Sequence, residues 1–210
     1  TMTEFGGNKD YPVLYRYLRD RATDSELVID LVKEKLIPNT SMSRFQINKI
    51  VMSPNQKYLA MIIDVNNNER PKIVVKDLAD NRILNCQFFS SSNCVFSEDE
   101  KTLFYVKLDD NLRPWCVMAH DLVQKTTDRD SVVLEESDPK YFVNLLQMKD
   151  PQFVGVSLSA KQSFRLSMIH KNNGTGDLKG QYSHFEVANE TDFIVSCQKK
   201  KKGIVLIQQQ

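Results

Sequence analysis

Residues 52–84 read MSPNQKYLAMIIDVNNNERPKIVVKDLADNRIL, and the punctuation of this stretch decides the fold. Ser53-Pro54-Asn55-Gln56 is a turn former, because Pro fixes φ and Asn tolerates bent backbone. Residues 58–63 are a short apolar run, long enough for a buried strand and too short for a stable helix. Asn66-Asn67-Asn68 interrupts the run. The β-branched Ile73-Val74-Val75 restarts it, and Asp80-Asn81 offers a hairpin turn before Arg82-Ile83-Leu84. Successive strands this closely spaced make an antiparallel meander.

The block recurs. Ser97 to Tyr105 repeats Ser53 to Met61, with an offset of 44 from Leu59 to Leu103. Arg70-Pro71 maps onto Arg113-Pro114 with an offset of 43, and Asp77-Leu78 onto Asp121-Leu122 with an offset of 44. A fainter third copy starts at Asp150-Pro151-Gln152 and continues through residues 153–158 and 164–169 to the turn Asn172-Asn173-Gly174. A truncated fourth runs from Asn189 through residues 193–197, a turn at Lys199 to Lys202, and residues 203–207. Strand anchors at Leu59, Leu103, Val154 and Ile194 are separated by 44, 51 and 40. A period of about 40–50 residues with four strands per unit is the signature of β-propeller blades. The expected fold is therefore all-β, with about four antiparallel blades of an incomplete β-propeller filling residues 1–210. The blades are expected at 11–46 (part-blade), 47–90, 91–136, 140–180 and 181–210 (truncated).

Composition narrows the function classes. Lys+Arg 28 against Asp+Glu 27 leaves a net charge of +1, which gives no electrostatic case for nucleic acid or an acidic membrane as partner. Cys86, Cys94, Cys116 and Cys197 have neither C-x-x-C spacing nor a short secreted framework, and three of them sit among strand residues as small hydrophobes. No run approaches the roughly 18 apolar residues of a membrane span. The expectation is a reduced, cytoplasmic protein. The tripeptides beginning at Asn39, Asn173 and Asn189 match the glycosylation pattern and are read as turns.

Outside the repeats, residues 11–17 read as a strand and Arg19 to Ser25 as a charged turn. Residues 26–37 could be a helix capped by Ser25 and stopped by Pro38. Alternatively residues 26–29 finish a strand and only 31–36 form a helical turn, which the periodic context favours. Residues 132–136 are the outer strand of their unit, residues 172–180 a surface loop, and Lys199 to Lys202 a solvated hairpin turn.

Chemistry-bearing patterns are sparse. Asp109-Asp110, Glu135-Glu136 and Glu98-Asp99-Glu100 would need burial and convergence to act as acid–base pairs; as hairpin and edge residues they read as solvated. No phosphate-binding glycine loop or metal-ligand spacing is present, so no cofactor or metal residue is nominated. The histidines, His120, His170 and His184, lie in strand or loop contexts without a recognisable partnered serine. Arg70 and Arg113, each followed by Pro at matching repeat positions, form the most distinctive polar pair. They either anchor inter-strand loops, through carbonyls or the Asp64 and Asp109 carboxylates, or line a channel or domain interface.

Several segments carry a family likeness. SPNQKYLAMIIDVNNNERPKIVVKDL, TLFYVKLDDNLRPWCVMAHDL, EESDPKYFV and YPVLYRY occur in the order in which similar segments occur in the prolyl oligopeptidase family, in its oligopeptidase B branch. The resemblance covers nearly everything from Tyr11 to about Ser159. It implies a serine oligopeptidase in which a seven-bladed propeller caps an α/β-hydrolase domain and admits only short peptides. The G-x-S-x-G elbow that exposes a nucleophilic serine is absent from this sequence, so no catalytic residue is carried over.

The expectation is thus a non-catalytic propeller segment whose partners are a hydrolase domain of the same parent chain and short peptides. A propeller-type interaction module is the alternative, though no WD dipeptide or kelch glycine pair supports it. An open array of blades leaves strand edges uncovered. These residues alone are therefore expected to be marginally stable or to self-associate, and a compact monomer in sedimentation would count against that.

Overall fold

A serine closes each of the two best-matched turns. The Ser53 hydroxyl accepts the Tyr58 N–H at 2.8 Å, and Ser53 N–H donates to the Tyr58 carbonyl at 2.9 Å. The Ser97 hydroxyl accepts the Thr102 N–H at 2.9 Å, with Ser97 N–H on the Thr102 carbonyl at 2.8 Å. Gln56 and Glu100 turn the chain with φ of 60° and 55°. Aspartates close the other connections. Asp64 accepts the N–H groups of Asn68 and Glu69, while Asp109 accepts those of Asn111 and Arg113. Asp77 accepts those of Ala79 and Asp80, and Asp121 accepts that of Val123. Such side-chain-to-backbone bonds supply partners that a sharp turn removes from the ladder.

The computed structural model describes residues 13–18, 21–37, 45–65, 67–84, 88–124, 127–148, 153–161, 163–170, 183–188, 193–197 and 204–208. A hairpin of β1 (Val13–Leu18) and β2 (Arg21–Asp30) comes first. The second sheet runs β3 (Gln46–Met52), β4 (Tyr58–Asp64), β5 (Lys72–Asp77) and β6 (Arg82–Ile83). The third runs β7 (Ser91–Phe96), β8 (Thr102–Leu108), β9 (Pro114–Asp121) and β10 (Ser131–Glu135). The fourth runs β11 (Phe142–Gln147), β12 (Phe153–Ala160), β13 (Ser163–His170) and β14 (Ser183–Ala188). A last pair joins β15 (Phe193–Cys197) to β16 (Ile204–Gln208). Every pairing is antiparallel between chain neighbours, and no helix occurs among the described residues.

Three sequence expectations need correction. The charged stretch Arg19 to Ser25 is not a long turn, because β2 already begins at Arg21 and pairs it with Leu18; charged residues are compatible with an edge strand. The unit boundary expected between residues 180 and 181 falls later, since β14 (Ser183–Ala188) pairs with β13. Ile194 is accordingly on the first strand of its pair, whereas Leu59, Leu103 and Val154 lie on second strands. Residues 31–37 form a single turn, with Glu34 N–H on the Asp30 carbonyl at 3.0 Å, as the periodic reading favoured. The expected loop at 172–180, the Lys199 to Lys202 turn, Cys86 and the three Asn-x-Ser/Thr sites or parts of them lie outside the described residues.

Apolar runs without alternation have a direct cause here: the middle strands are covered on both faces. All seven residues of β4 are buried. Leu59, Met61 and Ile63 pack with Val28, Ile29 and Leu31 of the preceding unit. Tyr58, Ala60 and Ile62 pack with Phe96, Leu103 and Tyr105 of the following one. In β8 the division repeats, with Phe104 and Val106 facing Val143, Val154 and Val156. Full burial of each such Val, Ile or Phe contributes roughly 1.5–3 kcal/mol, so these faces hold successive sheets together.

Candidate functional site

The first strands set the geometry of the site. β3 touches β7 and β7 touches β11, while no comparable contact joins β6 to β10 or β10 to β14. In the second, third and fourth sheets the first strands therefore lie nearer to one another than the last strands do. β3 and β7 each carry a bulge: register slips at Asn48, between Ile47 and Lys49, and at Ser92, between Ser91 and Asn93. A bulge adds one residue and re-aims the side chains beside it.

The residues after the two bulges, with Asn144 of β11, form a polar row across three sheets. Lys49 Nζ donates to Asn93 Oδ1 at 2.6 Å. Asn93 Nδ2 donates to Asn144 Oδ1 at 2.6 Å and to the Leu145 carbonyl at 2.8 Å. Asn93 is buried, whereas Lys49 and Asn144 are exposed. Each amide is oriented by the backbone, because Asn93 Oδ1 also accepts Cys94 N–H and Asn144 Oδ1 also accepts Leu145 N–H. Sequence reading missed this row. Its signal was present, since the separations of 44 and 51 are those of the strand anchors.

Arg70 and Arg113 lie past the C-terminal ends of the second strands, in the loops leading to β5 and β9. Arg113 does what the anchoring reading requires. Its guanidinium donates to Asp109 Oδ2 at 3.1 Å, to the carbonyls of Asp138 at 2.9 Å and Tyr141 at 3.3 Å, and to that of Glu136 at 3.3 Å. It thus ties the β8–β9 loop to the connection entering the next sheet. Among the described residues the Arg70 guanidinium makes one exposed bond of this kind, Nη2 to the Asp110 carbonyl at 2.9 Å, and the Asp64 carboxylate accepts the backbone N–H groups of Asn68 and Glu69. Beyond Arg113, Tyr141 lies under the Arg165 guanidinium at 4.2 Å, and Arg165 reaches Glu136 at 3.3 Å.

One histidine lies in a buried network. His120 Nδ1 sits 2.6 Å from Asp130 Oδ1, and Tyr105 O–H donates to Asp130 Oδ2 at 2.8 Å. Burial, followed by the adjacent carboxylate, pushes the Tyr105 phenol far above its ordinary value. A His–carboxylate pair is how a catalytic base is oriented. This one is enclosed, with both side chains at most 2% exposed and Phe88 edge-on to the imidazole at 4.9 Å, so a substrate has no access to it. Burial also raises the Cys94 thiol to about 12 and the Cys116 thiol to about 11, the opposite of an activated nucleophile. Among the described residues no group of three or more His, Cys, Asp or Glu could hold a metal ion. The paired acids expected to be solvated do local work, with Glu100 accepting Asn55 N–H of the preceding sheet at 2.7 Å and Glu136 accepting Asp138 N–H at 2.9 Å.

Comparison with known proteins agrees with this arrangement. Residues 3–201 match the family model described as prolyl oligopeptidase, N-terminal beta-propeller domain. The human protein named prolyl endopeptidase-like is 30% identical over 129 residues, covering 59% of this chain and 17% of that protein. Its Xenopus laevis counterpart is 24% identical over 161 residues, covering 77% of this chain and 22% of that one. In structure the chain is similar to oligopeptidase B from Leishmania major, with a TM-score of 0.76 at 17% identity over 90% of this chain and 26% of that one. It is also similar to oligopeptidase B from Trypanosoma brucei, with a TM-score of 0.73 at 15% identity over 94% and 29%. The chain therefore spans about a fifth of the length of these curated relatives and under a third of those structures. A succession of antiparallel four-stranded sheets, with this match over nearly its whole length, makes the chain a member of the prolyl oligopeptidase family, in its N-terminal β-propeller domain.

Proposed function

We propose that this chain is the access-restricting propeller of a serine oligopeptidase of the oligopeptidase B branch, acting in the cytoplasm beside an α/β-hydrolase domain of the same polypeptide. The observation that carries the reading is the set of sheets brought together at first strands whose exposed residues are neutral or basic, with the histidine–carboxylate pair sealed inside a core. The contribution is steric. In this reading the packed sheets border a passage that admits a short peptide and excludes a folded protein, and bond breaking belongs to the hydrolase domain. Arg113, and Arg70 more weakly, hold the loops at one rim of that passage.

The test is hydrolysis by the full native polypeptide of peptides of graded length ending in the same reporter. The expected outcome is cleavage that falls steeply once substrates exceed a few tens of residues or carry a folded domain. Cleavage independent of length would refute the filtering role. Tight binding of a folded protein without hydrolysis of any peptide would favour the interaction-module reading instead.

A further inference from the structure

The row Lys49–Asn93–Asn144 is polarised. Both amide oxygens are consumed inside the row, by Lys49 Nζ, Cys94 N–H, Asn93 Nδ2 and Leu145 N–H. What the row has left to offer is therefore donors: the remaining ammonium hydrogens of exposed Lys49 at one end and Nδ2 of the exposed residue Asn144 at the other. Lys49 is also the only charged side chain on β3, β7 and β11, whose sequences are QINKIVM, SSNCVF and FVNLLQ. No carboxylate on these strands competes for it. A row that turns donors outward around a single cation, with bulges at two repeat positions, is built to meet an oxygen anion.

We propose that Lys49 and Asn144 form a carboxylate-reading position on the first strands, which takes the carboxylate of a peptide. The identification of that carboxylate as a peptide's rests on the access-restricting function above; the anion-reading geometry does not. Asn93 is the positioning residue. Its buried amide holds Lys49 Nζ and Asn144 in one row, so an arriving carboxylate meets donors already oriented.

The experiment measures binding, so that it stays separate from hydrolysis. A fluorescent pentapeptide is titrated against the full native polypeptide in three forms: free C-terminal carboxylate, C-terminal amide, and C-terminal amide with one internal Glu. The expected result is about a 5- to 10-fold lower Kd for a carboxylate-bearing form than for the plain amide, shrinking as salt is raised. The free acid or the Glu peptide, whichever binds tighter, identifies the carboxylate as a chain end or a side chain. In Lys49→Met the preference should fall to within twofold, and Lys49→Arg should restore it. Asn144→Asp, which puts a carboxylate into the row, should abolish the preference with Lys49 intact. Equal binding of all three peptides by the wild type, or a preference that survives in Lys49→Met, overturns the proposal. Loss of hydrolysis with retained preference would count against the peptidase reading alone.

Discussion

Replacing Arg113 by Met tests whether two arginines at matching repeat positions carry unequal loads. The side chain is 14% exposed and donates to three carbonyls, one at 2.9 Å and two at 3.3 Å. A hydrogen bond involving a charged group contributes roughly 1.5–3 kcal/mol when well formed, and only the shortest of these is at an ideal length. The Asp109 pair is within reach of solvent and adds little. Met keeps the aliphatic stem, so the loss is confined to these bonds: about 2–3 kcal/mol, since water can partly reach the freed carbonyls. For a chain of this size that is a fall of about 4–12 °C in Tm. Arg70→Met removes one exposed bond and should cost at most about 0.5 kcal/mol. Thermal and urea unfolding followed by circular dichroism read both variants. Amide hydrogen exchange adds a local reading, because protection at Tyr141, whose N–H donates to the Asp138 carbonyl, should fall only in Arg113→Met. Equal losses in the two variants, or a loss below about 0.5 kcal/mol for Arg113→Met, would refute the reasoning.

Other perturbations give equally definite outcomes. Asp130→Ala removes the carboxylate shared by His120 and Tyr105 and should destabilise by about 3 kcal/mol or more in urea unfolding, with Asp130→Asn milder; equal effects would count against the shared-acceptor reading. Gly155→Ala places a Cβ 2.9 Å from Met148 Sδ and 3.2 Å from Leu146 Cβ, so a cost of about 1–3 kcal/mol is expected in the same assay. Cys94 and Cys116, with thiols raised by burial, should resist maleimide at pH 8 until urea unfolds the chain, as mapped by peptide mass. The Asp109 carboxyl is held below its ordinary value, first by the Arg113 backbone N–H. A depressed folded-state pKa gives stability that is present above the unfolded value and lost as pH falls through the folded one. The gap in urea midpoint between wild type and Asp109→Asn should therefore hold from pH 7 to about 5 and close below about 4.

What the sequence discloses here is what is local. The Ser53 and Ser97 turns are legible because a hydroxyl bonds an N–H five residues on, so the pattern and its cause share one short window. The β4 and β8 runs are legible because burial on both faces removes alternation. β2 was obscured by Arg21 and Asp24, charges that suggest a turn and that an edge strand tolerates. β14 was obscured by the polar SHFEVA, which resembles the loop before it until β13 supplies its ladder. The His120–Asp130–Tyr105 network joins residues 10 and 25 apart across strands of one sheet, a distance no repeat offset marks. The Arg113 anchor was half legible: the Asp109 partner sits four residues away, while the three carbonyls come from the connection to the next sheet.

The bond from Asn55 N–H to Glu100 has a consequence during synthesis. The donor lies in the turn that opens β4, and its acceptor is 45 residues further on, in the matching turn of the following sheet. Lys49 likewise waits 44 residues for Asn93. At about 5–20 residues per second on the ribosome, each sheet stays incompletely satisfied for about 2–9 s, until its successor emerges. Maturation should then proceed as a wave, with every unit locked by the one behind it. Ribosome-arrested chains that have emerged to about residue 90 should leave β3 to β6 open to protease, and chains that have emerged to about residue 136 should protect them. Equal protection at both lengths would show that the sheets mature independently.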